Sequence, residues 1–203
     1  MSEPAGRREL NKARTRQALV DAARELARER GLEHVTAEEI AEGAGVSRRT
    51  FFNYFPNIEA VVAAGLAEPL QRIAAALLGR PAAEEPLTAI AAVFREQPIP
   101  AEILLGWMPI EPVSSAQGRE LQLRVWQHHE EWLVGVLHQR LGDDDELRVR
   151  SLGAAVMAVF EVVQRAWLPT ATEQHPTEAV ASFNEALLRV LAHADAGWRR
   201  PAS

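Results

Sequence analysis

The stretch that most constrains this chain is 36–55, Thr-Ala-Glu-Glu-Ile-Ala-Glu-Gly-Ala-Gly-Val-Ser-Arg-Arg-Thr-Phe-Phe-Asn-Tyr-Phe. It reads as two short helices with a tight turn between them. Thr36 and Glu39 stand at S/T-x-x-E spacing, which starts a helix by satisfying two backbone N–H groups reciprocally. Ala37, Ile40, Ala41 and Ala44 give that helix an apolar face. Gly43 and Gly45 end it, because glycine tolerates the left-handed backbone of a tight turn. Ser47 is a good N-cap for the next helix. Pro56 stops that helix after Phe55.

The second helix opens with Arg48, Arg49 and Thr50 and continues Phe51, Phe52, Asn53, Tyr54, Phe55. Arginine can bond guanine bidentately or hold a phosphate, Thr and Asn can bond phosphate oxygens, and Phe52 can meet a thymine methyl. Phe51 and Phe55, four apart, fall on one face and should pack inward. A plain surface helix with solvated arginines is the alternative. The order of capping box, glycine turn and basic start favours a helix-turn-helix.

The run Ala44-Gly45-Val46-Ser47-Arg48-Arg49-Thr50-Phe51-Phe52-Asn53-Tyr54-Phe55-Pro56-Asn57 resembles the signature of the tetracycline-repressor (TetR) family, and residues 15–62 resemble that family's N-terminal domain throughout. The usual pattern has Gly or a small residue where Arg49 stands, Tyr where Phe52 stands and a basic residue where Pro56 stands. The resemblance implies that Thr36, Ser47, Arg48, Arg49, Thr50, Phe52, Asn53 and Tyr54 face DNA. Arg48 and Arg49 would discriminate sequence, while Thr36, Ser47, Thr50, Asn53 and Tyr54 would mainly hold phosphates. It also implies a symmetric homodimer on a palindromic operator, with half-sites about one DNA turn apart.

Charge tests that reading. The net charge is −6, unusual for a DNA binder. Residues 1–56, however, hold about 10 Lys and Arg against about 9 Asp and Glu, so the acidity lies beyond them. Local charge at the phosphates matters more than the total. Residues 1–10 read as a mobile arm whose arginines could reach DNA or remain solvated.

Ala, Leu, Glu and Arg dominate, so the expected fold is all-α with about nine helices. Domain 1–56 would be the helix-turn-helix unit with its arm, and 57–203 a ligand-binding and dimerisation domain. The first helix is expected over 10–30, ended by Gly31. Asn57 caps a long helix to about Leu78, which Pro69 should kink or split. A short helix follows over 87–95. The Pro-bounded segment 99–110 is strongly apolar. Further helices are expected over 116–141, 146–168 (ended by Pro169) and 176–194. The helix over 146–168 is apolar nearly all round from Leu152 to Val163 and needs cover on more than one side. The last two helices could form a four-helix dimer seam.

Phe94, Trp107, Met108, Trp126, His129, Trp132 and Phe160 lie on apolar sides of several of these segments. Each is either core or the wall of an elongated apolar pocket. His129 reads as a structural histidine or a ligand contact. In the family such a pocket takes a small-molecule effector. Residues 119–141 and 154–170 also resemble, loosely, the actinobacterial subgroup near the mycofactocin regulator, which implies a hydrophobic, acyl-CoA-like effector.

Other classes find little support. The chain has no cysteine, which fits a reducing cytoplasm and leaves no thiolate metal site. No P-loop, G-x-S-x-G, G-x-G-x-x-G or H-E-x-x-H is present, so no enzyme, metal or cofactor is expected. His128-His129-Glu130-Glu131 lacks metal spacing, because adjacent helical residues diverge by about 100°. Gly142-Asp143-Asp144-Asp145 lacks an EF-hand's alternation. The apolar run 154–163 is interrupted by Glu161 and too short for a bilayer, so no membrane partner is expected. A DNA-binding architectural protein without an effector is the remaining alternative.

Overall fold

A computed structural model describes the backbone of residues 3–107, 115–142, 145–171 and 173–197, with their side chains apart from 3–7, 102 and 117. Nine α-helices and one 3₁₀ turn make up the regular structure of these residues, with no strand. The helices are α1 (Glu3–Arg30), α2 (Ala37–Gly43), α3 (Arg48–Tyr54), α4 (Ile58–Leu78), α5 (Pro86–Glu96), α6 (Ala101–Trp107), α7 (Ala116–Leu141), α8 (Glu146–Ala171) and α9 (Pro176–Asp195). The chain forms two compact units, Met1–Glu68 with Leu105–Val125, and Pro69–Leu104 with Trp126–Ser203.

Four boundaries depart from the sequence reading. The backbone is already helical at Glu3, so from that residue on the expected mobile arm is the first turns of α1. Pro4 causes no conflict there, since the first turn has no use for its missing N–H. Pro69 does not split α4, which runs unbroken from Ile58 to Leu78. Pro169 does not end α8, which continues to Ala171. Arg165, four residues earlier, is exposed, so water can take the carbonyl that proline leaves unbonded. α3 also ends one residue early. Phe55 is an extended cap (φ −138°), as the residue before a proline prefers.

In the first unit, Leu19, Val20 and Ala23 of α1, Ile40 of α2, Phe51, Phe55, Val61 and Val62 are at most 2% exposed. In the second, α9 packs on α5 and α8. Phe183, Leu187 and Leu191 of α9 are wholly buried there within one chain, and Trp167 donates its indole N–H to the Ala179 carbonyl at 2.7 Å. Phe183, Leu187 and Leu191 are therefore covered inside the chain, so Leu187 does not face a second copy. By contrast Ala154, Ala155, Ala158 and Val162 of α8 are exposed. α4 and α8 are each long and apolar enough, by length and composition, to cross a bilayer. α8 instead buries Val149, Val156, Val159, Val163 and Trp167, and carries the Glu161–Arg165 ion pair on its exposed side.

Candidate nucleic-acid interface

Local chemistry builds the interface. At the start of α2 the Glu39 N–H donates to Thr36 Oγ1 at 3.3 Å, and the Thr36 N–H donates to Glu39 Oε2 at 2.9 Å. Thr36 Oγ1 also donates to the same carboxylate at 2.7 Å. These bonds, with Arg30 nearby, hold the Glu39 carboxyl below its usual range. The capping box is thus complete, and the Thr36 hydroxyl is committed to it.

The turn after α2 is a Schellman motif. The Val46 N–H reaches the Ala41 carbonyl and the Gly45 N–H reaches the Glu42 carbonyl, both at 2.9 Å. Gly45 sits at φ 68°, where a Cβ would strain the backbone. Ser47 then caps α3, accepting the Thr50 N–H at 3.1 Å and sharing a 2.8 Å hydrogen bond with the Thr50 hydroxyl. Phe51 and Phe55 turn inward, at 0% and 1% exposure, and the Arg16 guanidinium lies 4.8 Å from the Phe55 ring centroid.

The outward side of α3 presents Arg48, Arg49, Phe52 and Asn53, all exposed, with Thr50 and Tyr54 half-buried. The two arginines are not equivalent. Arg48 pairs with Glu38 of α2 and lies over the Phe52 ring at 5.3 Å. Arg49 makes no ion pair among the described residues. Glu38 escaped the sequence reading, because its only signal is an acidic residue in the first turn of α2. It pairs on the surface with one of the two expected base-reading groups, an exposed contact worth little, and leaves Arg49 unpaired among the described residues. Arg49→Ala should weaken binding to a specific duplex by about 1–3 kcal/mol and random DNA far less. Equal losses on the two, in a salt-matched mobility-shift assay, would mean it only holds phosphate.

The residues expected to line a pocket are less gathered. Phe94 and Phe160 meet edge to face, with centroids 5.4 Å apart. Trp126, His129 and Trp132 are half-buried on α7. Nε2 of His129 is buried without a hydrogen-bond partner, and burial, with His128 beside it, pushes its pKa down to about 4. Trp107 belongs to the first unit and Phe94, Trp126, His129, Trp132 and Phe160 to the second. Met108 lies outside the described residues. Among the described residues no group of three His, Asp or Glu is placed to hold a metal.

A capped helix, a glycine-closed turn and a second helix presenting arginines define a helix-turn-helix DNA-binding protein. Residues 19–64 match the family of bacterial regulatory proteins, tetR family. Over 98% of this chain and 92% of its relative, the sequence is 32% identical to the HTH-type transcriptional regulator TcmR of Streptomyces glaucescens. Two crystal structures of NalD, the secondary repressor of the MexAB-OprM multidrug efflux pump in Pseudomonas aeruginosa, share the fold. Their TM-scores are 0.50 and 0.51, at 20% and 22% identity, covering 88% and 86% of this chain and 96% and 95% of theirs. The chain belongs to the TetR family: it is a DNA-binding transcriptional regulator, not an enzyme.

Proposed function

We propose that this regulator is a homodimeric, cytoplasmic repressor released from a palindromic operator by a small apolar or acyl-type effector. The exposed Arg49 at the start of a correctly capped recognition helix is the observation that carries DNA recognition. Residues 1–56 serve as the DNA-binding segment, and 57–203 supply the effector and dimer surfaces. Phosphate contacts come from Ser47, Thr50, Asn53 and Tyr54. Thr36 joins them only by releasing Glu39, and Phe52 offers an apolar edge to thymine.

The effector reading rests on Phe94, Trp126, His129, Trp132 and Phe160. A neutral, buried imidazole nitrogen without a hydrogen-bond partner suits the hydroxyl or carbonyl of an otherwise apolar ligand. An effector that favours the DNA-incompetent arrangement shifts the population by its differential affinity, with a coupling of about 1–3 kcal/mol. The exposed Ala154, Ala155, Ala158 and Val162 of α8 suit close packing against a second copy.

The test is a footprint of DNA upstream of the protein's own gene, repeated with long-chain acyl-CoAs and with neutral polycyclic phenols. A palindromic footprint that one of the two ligand classes abolishes is expected. A footprint that neither class alters would favour an architectural protein without an effector.

A further inference from the structure

Trp107 is the last residue of α6, and its indole fills a socket in the first unit. A Cβ built on Gly65 of α4 would stand 3.0 Å from Trp107 Cε2 and 3.1 Å from Val20 Cγ1, and closer still to Trp107 Cζ2. The ring thus occupies the volume a side chain at 65 would need, beside Val20 of α1. The neighbouring Gly106 makes the same kind of approach to α1, for a Cβ there would lie 2.9 Å from Arg24 Cγ. The Arg24 guanidinium carbon is 5.7 Å from the Trp107 ring centroid. Trp107 is 8% exposed, and its Nε1 is buried with no hydrogen-bond partner. Buried tryptophans ordinarily find one. Shape, not hydrogen bonding, therefore fixes this ring.

α1 and α4 flank the helix-turn-helix. α1 carries Arg16, which lies over Phe55 at the end of α3, and α4 begins at Ile58, three residues beyond Phe55. Whatever spaces α1 from α4 sets how α3 is presented. We infer that Trp107 is a positioning residue for DNA recognition, a wedge socketed at Gly65 that holds α1 and α4 at the separation α3 requires. The inference rests on the DNA-binding reading of α3 and adds to it a residue outside the helix-turn-helix.

The experiment is a double-mutant cycle on full-length protein, using a duplex selected by the wild-type protein from a random library. Gly65→Ala displaces the wedge and Trp107→Leu removes it. Each should lower affinity for the selected duplex tenfold or more and change affinity for random DNA less than threefold. Because both act on one element, the double variant should lose about tenfold, not the roughly hundredfold that independent sites give. Trp107→Phe keeps a ring and sacrifices only an N–H that bonds nothing, so it should bind within threefold of wild type. Should Gly65→Ala fail to fold, the comparison of Trp107→Phe with Trp107→Leu decides alone. Additive losses, equal binding by the Phe and Leu variants, or a lowered melting point with unchanged DNA affinity would each overturn the inference. Failure of the DNA-binding reading itself looks different: loss of α3 arginines would then leave selected-duplex binding intact.

Discussion

Leu187→Glu is expected to unfold the second unit and not merely to separate a dimer. Leu187 has no exposed surface, and it shares the buried face of α9 with Phe183 and Leu191 against α5 and α8. A carboxylate there would lose its water. The cost is several kcal/mol even after relaxation, on top of the lost leucine packing. Against a typical total stability of about 5–15 kcal/mol, that removes most of the margin. Circular dichroism should show a depressed or absent cooperative melt. Val162→Glu is the contrasting variant, because Val162 is 55% exposed on the outer side of α8. It should melt like the wild type and sediment as a monomer. A Val162→Glu protein that stays dimeric would place the interface elsewhere.

Arg140→Ala should be nearly as damaging, although Arg140 is neither on α3 nor among the residues expected to line a pocket. From α7 its guanidinium donates to the carbonyls of Leu77 at 2.8 Å, Arg80 at 3.2 Å, Pro81 at 2.9 Å and Glu84 at 3.1 Å. Leu77 is in the last turn of α4, where carbonyls lack helical partners and a cation complements the dipole. One side chain thus ties off a helix and shapes the loop that follows it. Hydrogen bonds to a charged donor contribute about 1.5–3 kcal/mol each and do not add in full, so truncation should cost about 3–5 kcal/mol. In a chain of this size that is a fall of roughly 10 °C in melting midpoint. Arg140→Lys should recover little, since an ammonium is a point donor that cannot span four carbonyls. Recovery by Lys would show that charge matters more than the fork.

These two residues mark where sequence stops informing. The helix-turn-helix was legible because its signals are local. Thr36 finds Glu39 three residues on, Gly45 closes a turn within six residues, and Ser47 caps Thr50. Each device needs no knowledge of the rest of the fold. Leu187 was legible as buried, since periodicity reports an apolar face. Periodicity does not report what covers that face: Phe183, Leu187 and Leu191 meet the chain's own α5 and α8. Trp107 was legible only as buried. An aromatic in a Pro-bounded apolar segment must be buried, but nothing in its spacing says that Gly65, forty-two positions earlier in the chain, left room for it. Arg140 gave no signal beyond a cation in the last turn of α7, because its acceptors are backbone atoms about 60 residues away. Pro69 and Pro169 were over-read. Proline removes one donor and crowds one carbonyl, and a long helix with good flanking turns absorbs that.

The discontinuity of the first unit has a bearing on how the protein is made. Residues 1–68 leave the ribosome before residues 105–125, and α1, α2 and α3 can form from near-neighbour contacts, which are the fast ones. The unit they belong to is closed by Leu105–Val125, and Arg124 of that segment pairs with Glu59 at the start of α4. Until about residue 107 has emerged, the groove beside Gly65 and Val20 lacks the indole that fills it and stays open to water. A nascent chain therefore carries a recognition helix before it carries the wedge. On the wedge's proposed role, specific DNA recognition waits for a residue synthesised well after α3.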